Sequence, residues 1–487
     1  MMFSFTSATQ DRYFKTKLLQ LECHFTWALR KDDADLTDVL NRLEEQIELD
    51  LGKKAGVARS YNLIAFVKYL LGSSQEALTY LQKSVELTKD YRGEDSERHL
   101  IVTYGDLAWL HYHTGDYTQC ESYLGKLKDI REKFPTKSTS VHYPEVLGEK
   151  GWTFLKFSQK HYDKAKECFK KALEQEPDES EWNAGYAIAL YRTETENSSP
   201  EESATIQQLR RAIETNQDDA VLKVFLALRL SVYKKFKEAD DLVEKALEMS
   251  PDSPHVIRYV GKYFRNQGSL DRSIALLKRA LDRTPNSAFI HHQLALCYKK
   301  KKNNLYYTGS HHSKGAEIRR VRDQCIYHLE MVVTLKSSFV TAMSDLALIY
   351  GENKEIQKAE NLFQNVFKMI KEKNEPLQTL QIVRFHYAEF QQYSNRCEPL
   401  AIQYYMECLK LGTDTYDGKR GANNLRKIAE RRISRNPKDG EAFGILGFIH
   451  KEKGEKCQAI ECYEKALTFT DSDEFLSNLC ELRLSLQ

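Results

Sequence analysis

The chain has 487 residues, 41% hydrophobic and 29% charged, with a net charge of +2. That length suits two or three ordinary domains or one long repeat array, and the near-neutral balance confines any basic surface to a local patch offset by acid elsewhere. No window approaches about eighteen apolar residues, the opening MMFSFTSATQDRYFK lacks a signal-peptide pattern, and the ten cysteines include no CxxC pair. A membrane span, export and a zinc framework are therefore not expected, whereas reduced cytosolic thiols are.

In chain order, weak copies of a paired-helix pattern occupy residues 60–90 and 102–131. The third repeat is clearer: HYDKAKECFKKALEQEP carries Ala165, Phe169, Ala172 and Pro177 at tetratricopeptide spacing, where small residues let two helices approach and bulky ones fill the gap. It also breaks a rule, with Trp152 and Lys156 at positions 7 and 11 of its first helix, both normally packing sites. Two readings stay open: a lysine snorkelling beside a core tryptophan, or a buried cation kept for an anionic partner. The fourth repeat, numbered from Ser180, puts Glu181 at position 2 and Arg192 at position 13, and a polar surplus, ETENSSPEE, follows.

KEADDLVEKALEMSP supplies Ala239, Ala246 and Pro251, and SIALLKRALDRTP supplies Ala280 and Pro285, 34 residues after Pro251. Positions 2, 5, 9, 12 and 13 of a first helix share one stripe. In the sixth repeat that stripe is His255, Arg258, Lys262, Arg265 and Asn266; in the seventh it includes His292, Lys299 and Lys300. Cations thus collect on one face of the middle repeats. Weak copies follow at 339–372 and 378–412, and the last repeat has Leu446, Gly447, His450, Gly454, Ala459, Tyr463 and Ala466. Two stretches, 303–323 and the basic 419–438, read as solvated connections, with Lys301 and Lys302 leading into the first. The expected fold is an all-α tetratricopeptide-repeat superhelix, an α-solenoid with a central basic groove or tunnel. Its expected divisions are an N-terminal helical subdomain with early repeats (1–145), a middle repeat subdomain lining the binding pocket (146–335) and a C-terminal repeat subdomain (336–487).

No Walker A, GxGxxG, HExxH, GxSxG or EF-hand pattern is present. His291 and His292 diverge by about 100° on a helix, and Cys297 lies about 140° round from His292, so no metal, cofactor or catalytic activity is expected. Converging cations beside Trp152, Tyr162 and Tyr259 suit single-stranded nucleic acid, because cations neutralise phosphates and aromatic faces stack bases. A peptide-binding scaffold, using the concave groove, is the competing reading, favouring acidic C-termini.

LECHFTW (21–27), GWTFLKFSQKHYDKAK, GYAIALYR (185–192), VIRYVGKYFR (256–265), HHQLALCYK (291–299), GFIHKEKGE (447–455) and the terminal LCELRLS resemble the interferon-induced proteins with tetratricopeptide repeats. The resemblance spans nearly the whole chain. It implies a non-catalytic, cytoplasmic antiviral effector. Such a protein holds the 5′ end of single-stranded RNA, bearing a triphosphate or a cap lacking 2′-O-methylation, in a basic tunnel and sequesters it from translation.

Carried over by position, Arg42 and Gln46 match contacts to the 5′ phosphates or cap bridge, and Trp152 matches the residue that stacks a cap or lines the terminal pocket. Lys156, Arg192, Arg258 and Tyr259 match phosphate-binding positions; Tyr162, His292 and Gln293 match contacts to the first nucleotides; Lys262 and Arg265 match basic positions further along. Val221 and His255 stand where relatives have tyrosine, and Leu49 lies in a lengthened loop that lacks the aromatic residue of capped-RNA binders. Self-association or pairing with family members is the expected use of the exposed helical surface.

Overall fold

The structure, a computed structural model, describes residues 7–48, 54–135, 142–195, 199–307, 311–373 and 375–485. Leu49 lies outside them, as do the side chains of residues 311–314. Helices account for nearly every regular segment, and no strand occurs among the described residues. Contacts divide the chain into two compact units, residues 1–293 and 294–487. Each is a run of antiparallel helix pairs, so the chain is an all-α tetratricopeptide-repeat solenoid. No described helix is long and apolar enough to cross a membrane.

The repeat chemistry is visible at each helix start and at each close crossing. Pro144 and Pro254 begin their helices, where a missing N–H is harmless. Asp219 caps Ala220–Val232 by accepting from the Val221 and Leu222 N–H groups at 2.9 and 3.1 Å. In the first unit, Phe169 fills the gap between Pro144–Phe157 and Ser180–Thr193. A Cβ on Gly151 would lie 2.9 Å from the Phe169 ring and one on Gly185 2.4 Å from it. Gly185→Ala is therefore expected to cost about 1–3 kcal/mol by overpacking, read as a lower denaturant midpoint with an unchanged slope.

LECHFTW is a polar clasp rather than a surface motif. The His24 N–H donates to Asp106 Oδ1 at 2.9 Å, its Nδ1 pairs with Asp106 Oδ2 at 2.7 Å, and its Nε2 meets Thr153 Oγ at 3.0 Å. Asn62 donates to Thr103 at 2.9 Å and to Glu149 at 2.7 Å. All six side chains are buried. The clasp thereby fixes the rotation of Pro144–Phe157, the helix that carries Trp152 and Lys156.

In the second unit, both stretches expected to be solvated connections are largely helical framework. Residues 303–323 lie mostly within Ala288–Tyr307 and His311–Leu335, and Ile318 and Val321 are buried. Residues 419–438 lie mostly within Tyr416–Arg435, whose Ala422, Leu425 and Ile428 enter the core beneath an exposed basic face. Net charge misled here, because the apolar residues at helical spacing decide burial. Lys302 is likewise buried, at 1% exposure, and pairs with Glu352.

Candidate nucleic-acid interface

The site grows from the C-terminal end of Pro144–Phe157. The last carbonyls of a helix have no partner within it and carry negative partial charge. Here two arginines from distant parts of the chain satisfy them. Arg42, on Leu36–Glu48, donates to the Lys156 carbonyl at 3.1 Å. Arg192, on Ser180–Thr193, donates to the Leu155 carbonyl at 3.0 Å and to the Tyr162 hydroxyl at 2.9 Å. Its guanidinium carbon lies 4.9 Å from the Tyr162 ring centre. The carbonyls orient these cations without cancelling their charge. Asp38, paired with Arg42 at 3.0 Å, offsets that one, whereas Arg192 meets no carboxylate within ion-pair distance among the described residues.

Lys156 sits among them, partly exposed, its ammonium 5.8 Å from the Trp152 ring centre and 3.3 Å from Ser60 Oγ. Burial, with Arg59 and Arg42 adding repulsion against the pull of Glu181 and Glu149, pushes its pKa down to about 7. Among the described residues Lys156 and Arg192 have no carboxylate within ion-pair distance. The packing-site lysine is thus neither a plain snorkel nor half of a resident ion pair.

Pro254–Gln267 supplies the next wall. Arg258 pairs with Glu45 at 3.5 Å, bonds to His255, and lies 5.1 Å from the Tyr259 ring centre and 5.6 Å from that of Phe289. Burial and then Arg258, Lys156 and Arg192 hold His255 far below the usual histidine range, so it is neutral in a cationic field. Burial would raise the Tyr259 phenol, but Arg258, Arg192 and Lys262 outweigh it and lower its pKa. Lys262 reaches the Tyr191 hydroxyl at 3.4 Å, and Arg265 donates to Gln293 at 3.2 Å.

Arg42, Trp152, Lys156, Tyr162, Arg192, Arg258, Tyr259, Lys262 and Arg265 therefore form one chain of contacts and mutual fields in the first unit. Gln293 joins it through Arg265, its side chain otherwise buried. Gln46 lies on the same helix as Arg42 and Glu45 and is partly exposed, as is His292. His291 turns away to the Pro285 carbonyl at 3.0 Å, and no metal-type cluster occurs among the described residues. Lys299, read from the stripe as part of the basic wall, belongs to the second unit and pairs with Asp345 at 2.6 Å, so its charge is offset there.

Sequence reasoning missed Arg59, Glu45 and Ser60. Arg59 lies on Lys54–Leu70 and pairs with Glu181 at 2.7 Å. Its helix begins six residues before the weak repeat copy recognised at 60–90, so the position counting never reached it. Arg59 and Glu181 also line a cavity of about 170 Å³ with Asn62, Glu149, Arg98 and His99, where both signs of charge are present.

Tetratricopeptide repeat models match residues 56–133, 147–179, 234–288 and 440–472. The chain is 35% identical to the human antiviral innate immune response effector IFIT1, over 94% of this chain and 96% of that one. It is 33% identical to human interferon-induced protein with tetratricopeptide repeats 2, over 95% and 97%. The chain belongs to the interferon-induced proteins with tetratricopeptide repeats. Among solved structures of this family, a human IFIT1 dimer with PPP-AAAA superposes with a TM-score of 0.79 at 34% identity, covering 93% of this chain and 99% of that one.

Proposed function

We propose that this family member is an antiviral RNA-binding protein that captures single-stranded RNA by a 5′-triphosphate end and sequesters it from translation in the cytoplasm, without catalysing a reaction. The observation that carries this reading is the pair of arginines, Arg42 and Arg192, hung on the carbonyls of Lys156 and Leu155 around an ammonium that lacks a carboxylate. Asp38 offsets Arg42, but Arg192 and Lys156 leave the site short of negative charge. A triphosphate supplies it through charge-assisted hydrogen bonds, stronger in a part-buried pocket than at an open surface. The relative solved with PPP-AAAA supports the same ligand class.

Arg258 and Tyr259 serve the phosphates with Arg42, Lys156 and Arg192, while Tyr162, His292 and Gln293 serve the first nucleotides and Lys262 and Arg265 the strand beyond. Gln46 accompanies Arg42. Fluorescence anisotropy with triphosphate and hydroxyl forms of one short RNA tests the proposal directly. The triphosphate form is expected to bind at least tenfold more tightly, a difference of about 1.4 kcal/mol; equal binding overturns the proposal.

A proton should accompany the phosphate. With its pKa near 7 in the free protein, Lys156 is mostly neutral at pH 8, and an arriving anion raises that pKa. Affinity is therefore expected to fall as pH rises above 7, by at most about tenfold per unit for one proton. Lys156→Arg, which stays charged throughout, should flatten the profile relative to the unmutated protein. The RNA's own phosphate titration is common to both proteins and cancels in that comparison.

A further inference from the structure

Arg59 is held against the one tryptophan of the site by an ion pair that the sequence pattern did not reveal. Its guanidinium carbon lies 6.0 Å from the Trp152 ring centre, and its Nη1 donates to Glu181 at 2.7 Å. The two side chains are 18% and 19% exposed, so the pair works in a partly dry setting. Lys156, 5.8 Å from the same ring centre, is the second cation beside that indole. The Trp152 Nε1 and the Arg59 Nε are both buried and lack a hydrogen-bond partner.

We propose that Arg59 is a specificity-determining residue, reserving the Trp152 indole for an RNA whose 5′ end is bare phosphate and disfavouring one extended by a further nucleobase. This rests on the functional reading above. A base stacks on an indole only if the ring is clear, and base–aromatic stacking accounts for a large part of affinity in single-strand sites. Here the guanidinium and the ammonium already engage the ring by cation–π contact.

To admit a base, Arg59 must leave either the ring or Glu181, and leaving Glu181 gives up a part-buried ion pair of 2.7 Å. A phosphate asks for neither movement. It meets a guanidinium already in place beside the ring. Glu181 acts through Arg59 as its anchor and is a positioning residue.

The test is a set of anisotropy titrations with one RNA sequence ending in triphosphate, in a guanosine cap or in hydroxyl. The unmutated protein should favour triphosphate over capped RNA by about tenfold or more. Arg59→Ala should bring that ratio to within about threefold while triphosphate remains preferred to hydroxyl. Because Arg59→Ala also removes the ion pair with Glu181, the double variant Arg59→Gln with Glu181→Gln, which replaces that pair by a neutral amide pair, provides a second measurement with the same expected ratio. Unchanged discrimination in whichever of these variants keeps the unmutated melting temperature overturns the role of Arg59, as does an unmutated protein that binds capped RNA as tightly as triphosphate. Loss of the triphosphate preference over hydroxyl in the unmutated protein instead overturns the functional reading beneath it.

Discussion

Arg192→Glu is expected to erase the preference for 5′-triphosphate over 5′-hydroxyl RNA. The wild-type guanidinium has two acceptors, the Leu155 carbonyl and the Tyr162 hydroxyl, and neither neutralises it. A glutamate at the same place removes a cation, faces a carbonyl with a carboxylate and repels the incoming phosphates. Truncating one member of a close charged pair costs about 2–5 kcal/mol, so reversal should weaken triphosphate binding by at least thirtyfold. Hydroxyl RNA, lacking the charged end, should lose far less. Lys156→Glu should act in the same direction. Paired anisotropy titrations, with thermal melting to verify the fold, decide the matter; a retained preference in Arg192→Glu would remove this residue from the site.

The second large effect is on stability. His24→Ala should destabilise the first unit by about 3–5 kcal/mol, because it leaves Asp106 as a buried, unpaired carboxylate and Thr153 without its ring partner. Asp106→Asn, which keeps a neutral acceptor beside the imidazole, should cost less. Burial disfavours the His24 cation, but the Asp106 charge and hydrogen bond outweigh it and raise the pKa. The stabilisation specific to the charged imidazole is therefore complete below about pH 6.5, the unfolded value, and is lost as pH rises through the higher folded value. Urea denaturation of both variants at pH 6 and pH 8 reads both statements: the His24→Ala penalty should be larger at pH 6.

The repeat architecture was legible because it depends on local spacing. Small residues such as Ala165, Ala172, Ala239 and Ala246 recur at fixed offsets, and each is fully buried. The stripe rule likewise found Arg192, Arg258, Lys262 and Arg265 from helical geometry, whereas Arg42 and Gln46 came only through family resemblance. Arg59 and the role of Asp106 were not legible. Each depends on a partner more than 80 residues away, Glu181 and His24 respectively, and no periodicity along the chain encodes such pairings. Charge runs were the poorest guide. Lys302, read as solvent-facing from its neighbours, is buried beside Glu352, because one residue's rotation about a helix matters more than the company it keeps in sequence.

The carbonyl anchors of Arg42 and Arg192 have a consequence for how such a site can be altered. Both acceptors belong to the main chain. Replacing the side chain at position 155 or 156 removes neither acceptor, provided the helix continues to the same end. On the proposals made above for Lys156 and Arg59, choice of ligand is thereby separable from placement of the two arginines. A laboratory library at those two positions can explore new 5′-end preferences on an unchanged cationic frame, whereas an insertion or deletion within 144–157 would shift both anchors together.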